Sequence, residues 1–587
     1  MPRFVDTSLR LLSQDPLASG LSTAGLLSLA SALDELGYAG LEVTGGGCFT
    51  TAVRRGLESP WERIRAIRGR VTRTPLVMAL RGSFLVGNRP ADDDLVRRFV
   101  LCAAESGIDV FRMHDPLNDI DDLHVPAKAV REAGGRLHAG LVYAAGPEGH
   151  DYLIEHARRL SDFGAERILL HDPAGALDIS SVGDLVGRLR EAAGLPVGLY
   201  AQGPGGTALA VAIEAARAGA DPIATAAYPV AMLTRRPAAE LLTQALGGEA
   251  SMADSETLWG IARTIEGVLG EAASAVPAIS PHIALRAALA TVPVSVVAGI
   301  ERSLQAASAV DRLDEVLDEL RRVREECGYP PPAAPIGRIL GQQAVTHVLT
   351  GRRWATVDDE MRRILLGEWG HPPAPIDDVA RRAAEQAPEI EEVDASLAEA
   401  REYAGSLAAS EEDLCLVALF GERALPLLER MRGRRSAPGE PVADAETRRV
   451  QKLITLLEDS DAGELTVEEG GVRITVRRRE TPVVQHVAHA TPPVAPAAPA
   501  ASVGPAEAGV IQIESPMVGT FYRSANPDSG PFVTEGDVVA KGQTLCILEA
   551  MKLFNELKSE HAGTVRRVLV DNGSAVEFGQ PLFELVP

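Results

Sequence analysis

From residue 1 to about residue 270, short apolar runs alternate with amphipathic helix patterns, and no other feature narrows the possible folds so far. Pro75-Leu76-Val77-Met78-Ala79-Leu80 is one such run. Asp109-Val110-Phe111-Arg112-Met113, Arg136-Leu137-His138-Ala139-Gly140-Leu141, Arg167-Ile168-Leu169-Leu170-His171 and Val197-Gly198-Leu199-Tyr200 are others. Strand–helix units of this length lay successive strands parallel, and their repetition predicts an α/β TIM barrel. Polar residues that follow each run then line the C-terminal mouth, where such barrels keep their active sites.

Several of these strand ends carry a resemblance. Asp6-Thr7-Ser8-Leu9-Arg10, Leu41-Glu42 with Gly45-Gly46, Pro60-Trp61-Glu62-Arg63, Leu80-Arg81-Gly82 and Phe111-Arg112 with Asp115-Pro116-Leu117-Asn118-Asp119 resemble the carboxyltransferase domain shared by pyruvate carboxylase, oxaloacetate decarboxylase and transcarboxylase. The likeness continues through Leu313–Leu317, Arg322–Pro330, Gly341–Val345 and Gly367–Gly370, the helical extension that follows the barrel in that family. It implies a barrel over 1–270 and a helical extension over 271–435. It also implies a divalent metal, but the family's ligands are not here. Leu11, His171, Tyr200 and Gln202 stand at the ligand positions, and Pro204 stands where the family has its proton-transferring threonine. A hard divalent ion needs several oxygen or nitrogen donors, and leucine supplies none. Losing that Lewis acid removes several kcal/mol of enolate stabilisation, roughly a thousandfold in rate. Arg81 and Gln14 remain at positions where the family contacts its keto acid. His114, Asp115, His171 and Asp172 also follow barrel strands; they read either as donors of a different metal site or as hydrogen-bonded core residues. Gly203-Pro204-Gly205-Gly206 lacks the following Lys-Ser/Thr of a phosphate loop and reads as a strained turn.

The C-terminal third is of another kind. Val450, Leu453, Ile454 and Leu457 form a helical stripe, and Leu465, Val467, Val472, Ile474 and Val476 alternate around Gly470-Gly471 as a hairpin, giving a small segment over 440–480. A Pro/Ala-rich linker follows over 481–509, extended and flexible, with a span of about 80–90 Å. In 510–587, short strands with Gly and Asn572-Gly573 turns flank Glu549-Ala550-Met551-Lys552-Leu553. Ser515–Tyr522, the insertion Ser524–Phe532, Gly563-Thr564-Val565 and Glu577–Leu582 resemble the biotin carboxyl carrier protein of acetyl-CoA carboxylase. That resemblance implies an all-β flattened barrel with biotin attached to Lys552 on an exposed hairpin. Glu549, Ala550 and Met551 belong to the recognition motif, and Met551 separates it from lipoyl sites.

The five cysteines are scattered without a CxxC pair, as buried thiols in a reducing compartment. A formal charge of −23 argues against nucleic acid. No run of 18 apolar residues and no signal region appear, so a cytoplasmic protein without membrane contact is expected. These features together lead to a biotin carrier subunit of an acyl-CoA carboxylase, most simply acetyl-CoA carboxylase, with an idle barrel and no divalent metal. Biotin protein ligase, a separate biotin carboxylase and separate acyl-CoA carboxyltransferase subunits are the expected partners, and the family's dimers suggest a homo-oligomer. Two other readings stay open: a barrel active on pyruvate, oxaloacetate or another acid through a rebuilt site, and a barrel that is a regulatory or scaffold domain.

Overall fold

The computed structural model describes residues 2–436 except 16, 21–22, 57, 145, 147–148, 248–252, 276–279 and 389–395; strands 464–469 and 472–477; and 511–586 except 516–518, 525–530, 551–552, 560, 571, 573 and 577–579. The chain divides into two compact units, Met1–Arg478 and Arg479–Pro587. The expected helix around Val450–Leu457 and the linker 481–509 lie outside the described residues.

Eight parallel strands close the barrel: β1 (Phe4–Asp6), β2 (Gly40–Gly45), β3 (Leu76–Leu80), β4 (Val110–His114), β5 (Arg136–Val142), β6 (Arg167–Asp172), β7 (Val197–Ala201) and β8 (Ile223–Thr225). Phe4 pairs with Ile223 and Asp6 with Thr225 to seal β1 against β8. The strands are apolar on both faces because helices cover one and the barrel interior the other. Leu76, Met78, Leu80, Phe111, Met113 and Leu170 are all fully buried.

The family motifs mark joints as well as chemistry. Ser59 caps the helix Pro60–Arg68 by accepting from the Trp61 amide, with proline at the first helical position. The Trp61 ring packs edge-on against Phe49 at 5.0 Å, and its indole donates to the Glu412 carbonyl. Asp115 Oδ1 accepts from the Leu117 and Asp119 amides, while Asn118, in the left-handed region, grips Val142 through both its amide atoms. Asp119 Oδ2 in turn accepts from the His371 backbone, tying the barrel to the Gly367–Gly370 turn. Helices between Pro281 and Gln386 build their own core around Val297, Leu320, Leu340 and Met361. The last helices, Leu397–Ala404, Glu411–Phe420 and Leu425–Ser436, return Leu397, Cys415 and Leu427 to the barrel core. Glu464–Glu469 and Val472–Arg477 pair antiparallel, with Val467 opposite Ile474, as the alternation predicts.

The second unit is a flattened β-structure of two four-stranded sheets. Phe521, Leu548, Val565, Phe583 and Leu585 fill the space between them. Among the described residues no single helix is long and apolar enough to cross a membrane.

Candidate active site at the barrel mouth

The C-terminal ends of the strands surround a cavity of about 540 Å³. Arg10, Gln14, Arg81, Arg112, His114, His171, Gln202 and Arg236 line it, and Pro293, Ser295, Ala333 and Ala334 of the extension complete its rim. Five arginines line it in all, at 10, 54, 81, 112 and 236, and three of them, Arg10, Arg112 and Arg236, face one buried carboxylate. Glu42, in the bulged strand β2, is completely buried. It accepts from Arg112 Nε at 2.7 Å and pairs with Arg10 Nε. Burial alone would raise its pKa; the facing charges of Arg112, Arg10 and Arg236 outweigh that and hold it at about 2. Arg112 also lies over the Tyr200 ring, 4.6 Å from its centroid. Asp15, the other acid at the rim, is paired with Arg54 and Arg55.

Arg81 and Gln14, the retained positions, meet in this cavity. Both depend on the glycines after β2: a methyl group on Gly46 would come 2.5 Å from Arg81 Nη2, and one on Gly47 would collide with the Gln14 side chain. Arg81 donates to the Val86 carbonyl at 2.9 Å, and burial, then the nearby Arg10 charge, lowers its pKa to about 10. Arg236, which the sequence reading did not single out, is only 4% exposed. Its Nε and Nη1 have no hydrogen-bond partner among the described residues. It reaches the cavity because Arg235 takes a left-handed turn (φ 57°) at the end of the helix Tyr228–Thr234. The only signal in the sequence was the Arg235-Arg236 pair just after that helix.

The positions of the absent ligands fare differently from one another. Leu11 is buried in the hydrophobic core, and Tyr200 lies under Arg112 among Val5, Leu169 and Ala224. His171 and Gln202 do face the cavity. His171 and His114 lie 5.3 Å apart, each with an unpartnered Nδ1 among the described residues. Burial, then the Arg112 charge, lowers both, His114 to about 3, so both imidazoles are neutral. Asp172 is committed to the loop after β6: it accepts from the amides of Ala174, Gly175, Ala176 and Leu177 at 2.9–3.1 Å. Asp115 belongs to the joint described above. Among the described residues no three His, Cys, Asp or Glu side chains converge on a metal-sized site, so this donor set does not fit the family's cation. Pro204 opens a short turn in which Gly205 and Gly206 are left-handed, a conformation glycine takes without strain, so the turn expected there is present but is not strained.

The model of the biotin-requiring enzyme family matches residues 511–585, and that of the conserved carboxylase domain matches 291–476. A pyruvate carboxylase subunit of Methanocaldococcus jannaschii is 31% identical over 94% of this chain and 94% of its own length. The chain belongs to the family of that pyruvate carboxylase subunit. The 2-oxoglutarate carboxylase large subunit of Hydrogenobacter thermophilus is 30% identical over 93% of this chain and 88% of its own. The carboxyl transferase domain of Rhizobium etli pyruvate carboxylase, solved with pyruvate and biocytin, shares the fold: TM-score 0.67, 24% identity, 73% of this chain and 77% of that one.

These whole-length matches correct the sequence reading. A biotin carboxyl carrier protein of acetyl-CoA carboxylase, from Pseudomonas aeruginosa, is 43% identical but spans only 24% of this chain. The acetyl-CoA carboxylase resemblance is therefore a property of the C-terminal part alone. The expectation of a carrier for an acyl-CoA carboxylase with an idle barrel does not stand, because the relatives that match the barrel and carrier together are subunits of pyruvate and 2-oxoglutarate carboxylases.

In this member of the pyruvate carboxylase family, biotin fits the carrier unit. Strands Thr544–Ala550 and Leu553–Lys558 pair antiparallel, and Ala550 opposite Leu553 is their last pair, with Glu549 opposite Phe554. Met551 and Lys552, the next two residues in the sequence after Ala550, lie outside the described residues. Within the insertion, 525–530 also lies outside them, while Phe532 donates to the Arg523 carbonyl.

Proposed function

We propose that the barrel passes a carboxyl group from biotin on Lys552 to a small 2-keto acid. The cavity carries this reading: about 540 Å³ lined by five arginines, against only Asp15 at the rim and the buried Glu42, suits a compact organic anion. Arg81 binds the carboxylate of the acid as a two-pronged donor, and Gln14 fixes its orientation from the facing loop. Arg112 and Arg10 are kept rigid by Glu42 and hold the local potential positive. The neutral His114 and His171 accept or donate without adding charge. Biotin, when attached, supplies activated CO₂. The segment 440–480 and the linker 481–509 serve as the tether of the carrier. A separate biotin carboxylase loads it, biotin protein ligase attaches the cofactor to Lys552, and the five buried free thiols suit a cytoplasmic setting.

The test uses the full biotinylated chain with a biotin carboxylase, ATP and labelled bicarbonate. After the protein has taken up label, pyruvate, 2-oxoglutarate and an acyl-CoA are added separately. Release of label into a dicarboxylic or tricarboxylic keto acid is expected. Label that no keto acid discharges overturns the reading.

A further inference from the structure

Carboxylation next to a keto group requires an enolate, and negative charge then develops on the keto oxygen. The resemblance assigns a divalent cation to that oxygen, yet the donors here do not suit one. Leu11 is in the core, Tyr200 is occupied under Arg112, and Asp172 already accepts from four amides. A dication in this cavity would also face five arginines (10, 54, 81, 112 and 236) against two carboxylates, Asp15 at the rim and the buried Glu42, so the field that attracts a keto acid repels it.

We propose that Arg236 replaces the cation: its guanidinium binds the keto oxygen of the acid and stabilises the enolate, making carboxyl transfer in this chain independent of metal. This rests on the keto-acid reading above. Arg236 is buried to 4% exposure, lines the cavity and has two nitrogens without a partner among the described residues. A buried charge in that condition is costly, and an anion resolves it. Arg81 is then free for the carboxylate, so the two ends of a 2-keto acid have separate guanidiniums. Burial, followed by the Arg10 charge, lowers Arg236 to about 9, which leaves it charged at neutral pH.

In the enolisation, the C3–H bond breaks and its pair becomes the C2=C3 π bond. The C2=O π pair moves onto oxygen beside Arg236; bound carboxybiotin would supply the CO₂ by breaking its N–C bond, and the pair left on that nitrogen would take the C3 proton. The enolate carbon then bonds that CO₂, and the C2=O bond returns. Arg236 keeps its own protons throughout, acting as fixed charge that needs no reorganisation.

Oxalate, a planar dianion that mimics the enolate of pyruvate, provides a readout without turnover. The biotinylated full-length protein is stripped with a chelator, and oxalate binding is measured by calorimetry with and without added manganese or zinc. Binding to the stripped protein, unchanged by metal, is expected. Arg236→Gln should weaken it at least 30-fold, and Arg236→Lys should restore part of the loss. Binding that appears only with added metal overturns the inference while leaving the keto-acid reading intact. An Arg236→Gln protein that binds like the parent removes Arg236 from the role. Absence of oxalate binding under every condition overturns the keto-acid reading itself. Should the glutamine variant not fold, the metal comparison on the parent chain still decides.

Discussion

Replacing Glu42 by glutamine isolates the charge balance of the mouth. The side chain keeps its shape and its acceptor oxygen for Arg112, but the buried counter-charge is gone. The carboxylate is held at about 2 against its ordinary 4.5, and that difference is worth about 3 kcal/mol. Removing one partner of a buried pair by mutation costs about 3–5 kcal/mol, which agrees. Because the folded-state value is depressed, the contribution is present above about pH 4.5 and is lost as pH falls toward 2. All four tryptophans, at positions 61, 259, 354 and 369, precede residue 370, so tryptophan fluorescence in urea follows the barrel-containing unit without interference from the carrier. The variant should lose about 3 kcal/mol at pH 7, and the gap to the parent should narrow on acidification below pH 4.5. At the same time oxalate should bind more tightly, since the negative charge that faces Arg10, Arg112 and Arg236 is gone. A loss below about 1 kcal/mol, or a gap that does not change with pH, would falsify the view that Glu42 offsets the arginines.

Three further changes probe the rest of the site. Gly46→Ala places a methyl group against Arg81 Nη2 and the Val86 carbonyl; KM for the keto acid should rise about tenfold, or about 1.4 kcal/mol, with little change in the unfolding midpoint, and an unchanged KM removes Arg81 from binding. Asp172→Asn sets a side-chain donor among four backbone donors; urea unfolding should show a loss of about 1–3 kcal/mol, and parent-like stability would show that the loop after β6 does not depend on it. Lys552→Arg should abolish streptavidin reactivity while leaving oxalate binding at the parent level; persistent labelling would place biotin elsewhere.

The parts that the sequence made legible are those where pattern and packing coincide. The runs ending at Leu80, Met113, His171 and Tyr200 are apolar because parallel barrel strands are covered on both sides, so periodicity alone exposed them. Leu465, Val467, Ile474 and Val476 declared a hairpin by alternation instead, and the two strands pair in that register. Arg81 and Gln14 were visible because they sit inside recognisable strand-end motifs; of the two glycines that make room for them, Gly46 lies in the quoted Gly45-Gly46 pair, while Gly47, beside Gln14, lies just past it. Arg236 was not visible, because an arginine after a helix usually lies in solvent. Its burial depends on a left-handed residue at 235 and on how the chain after β8 turns across the mouth, and neither is encoded in a local run. Glu42 was quoted only as part of a motif; its importance arises from three arginines at positions 10, 112 and 236, each delivered by a different segment.

The same separation explains why the chemistry was misread. A ligand-by-ligand comparison asks whether position 11, 171, 200 or 202 still carries a donor. It cannot register a charge that arrives from position 236. What an enolate requires is positive potential at a fixed point, excluded from water and already oriented. A cation held by four ligands is one arrangement that meets this requirement; a guanidinium enclosed by the barrel is another. The second has a stability cost, since Arg10, Arg112 and Arg236 share a single carboxylate. That cost is also its advantage, because the anion that completes the charge balance is the substrate. With Glu42 present the empty mouth remains foldable; a second internal carboxylate would stabilise the barrel further and take the place that the keto acid needs.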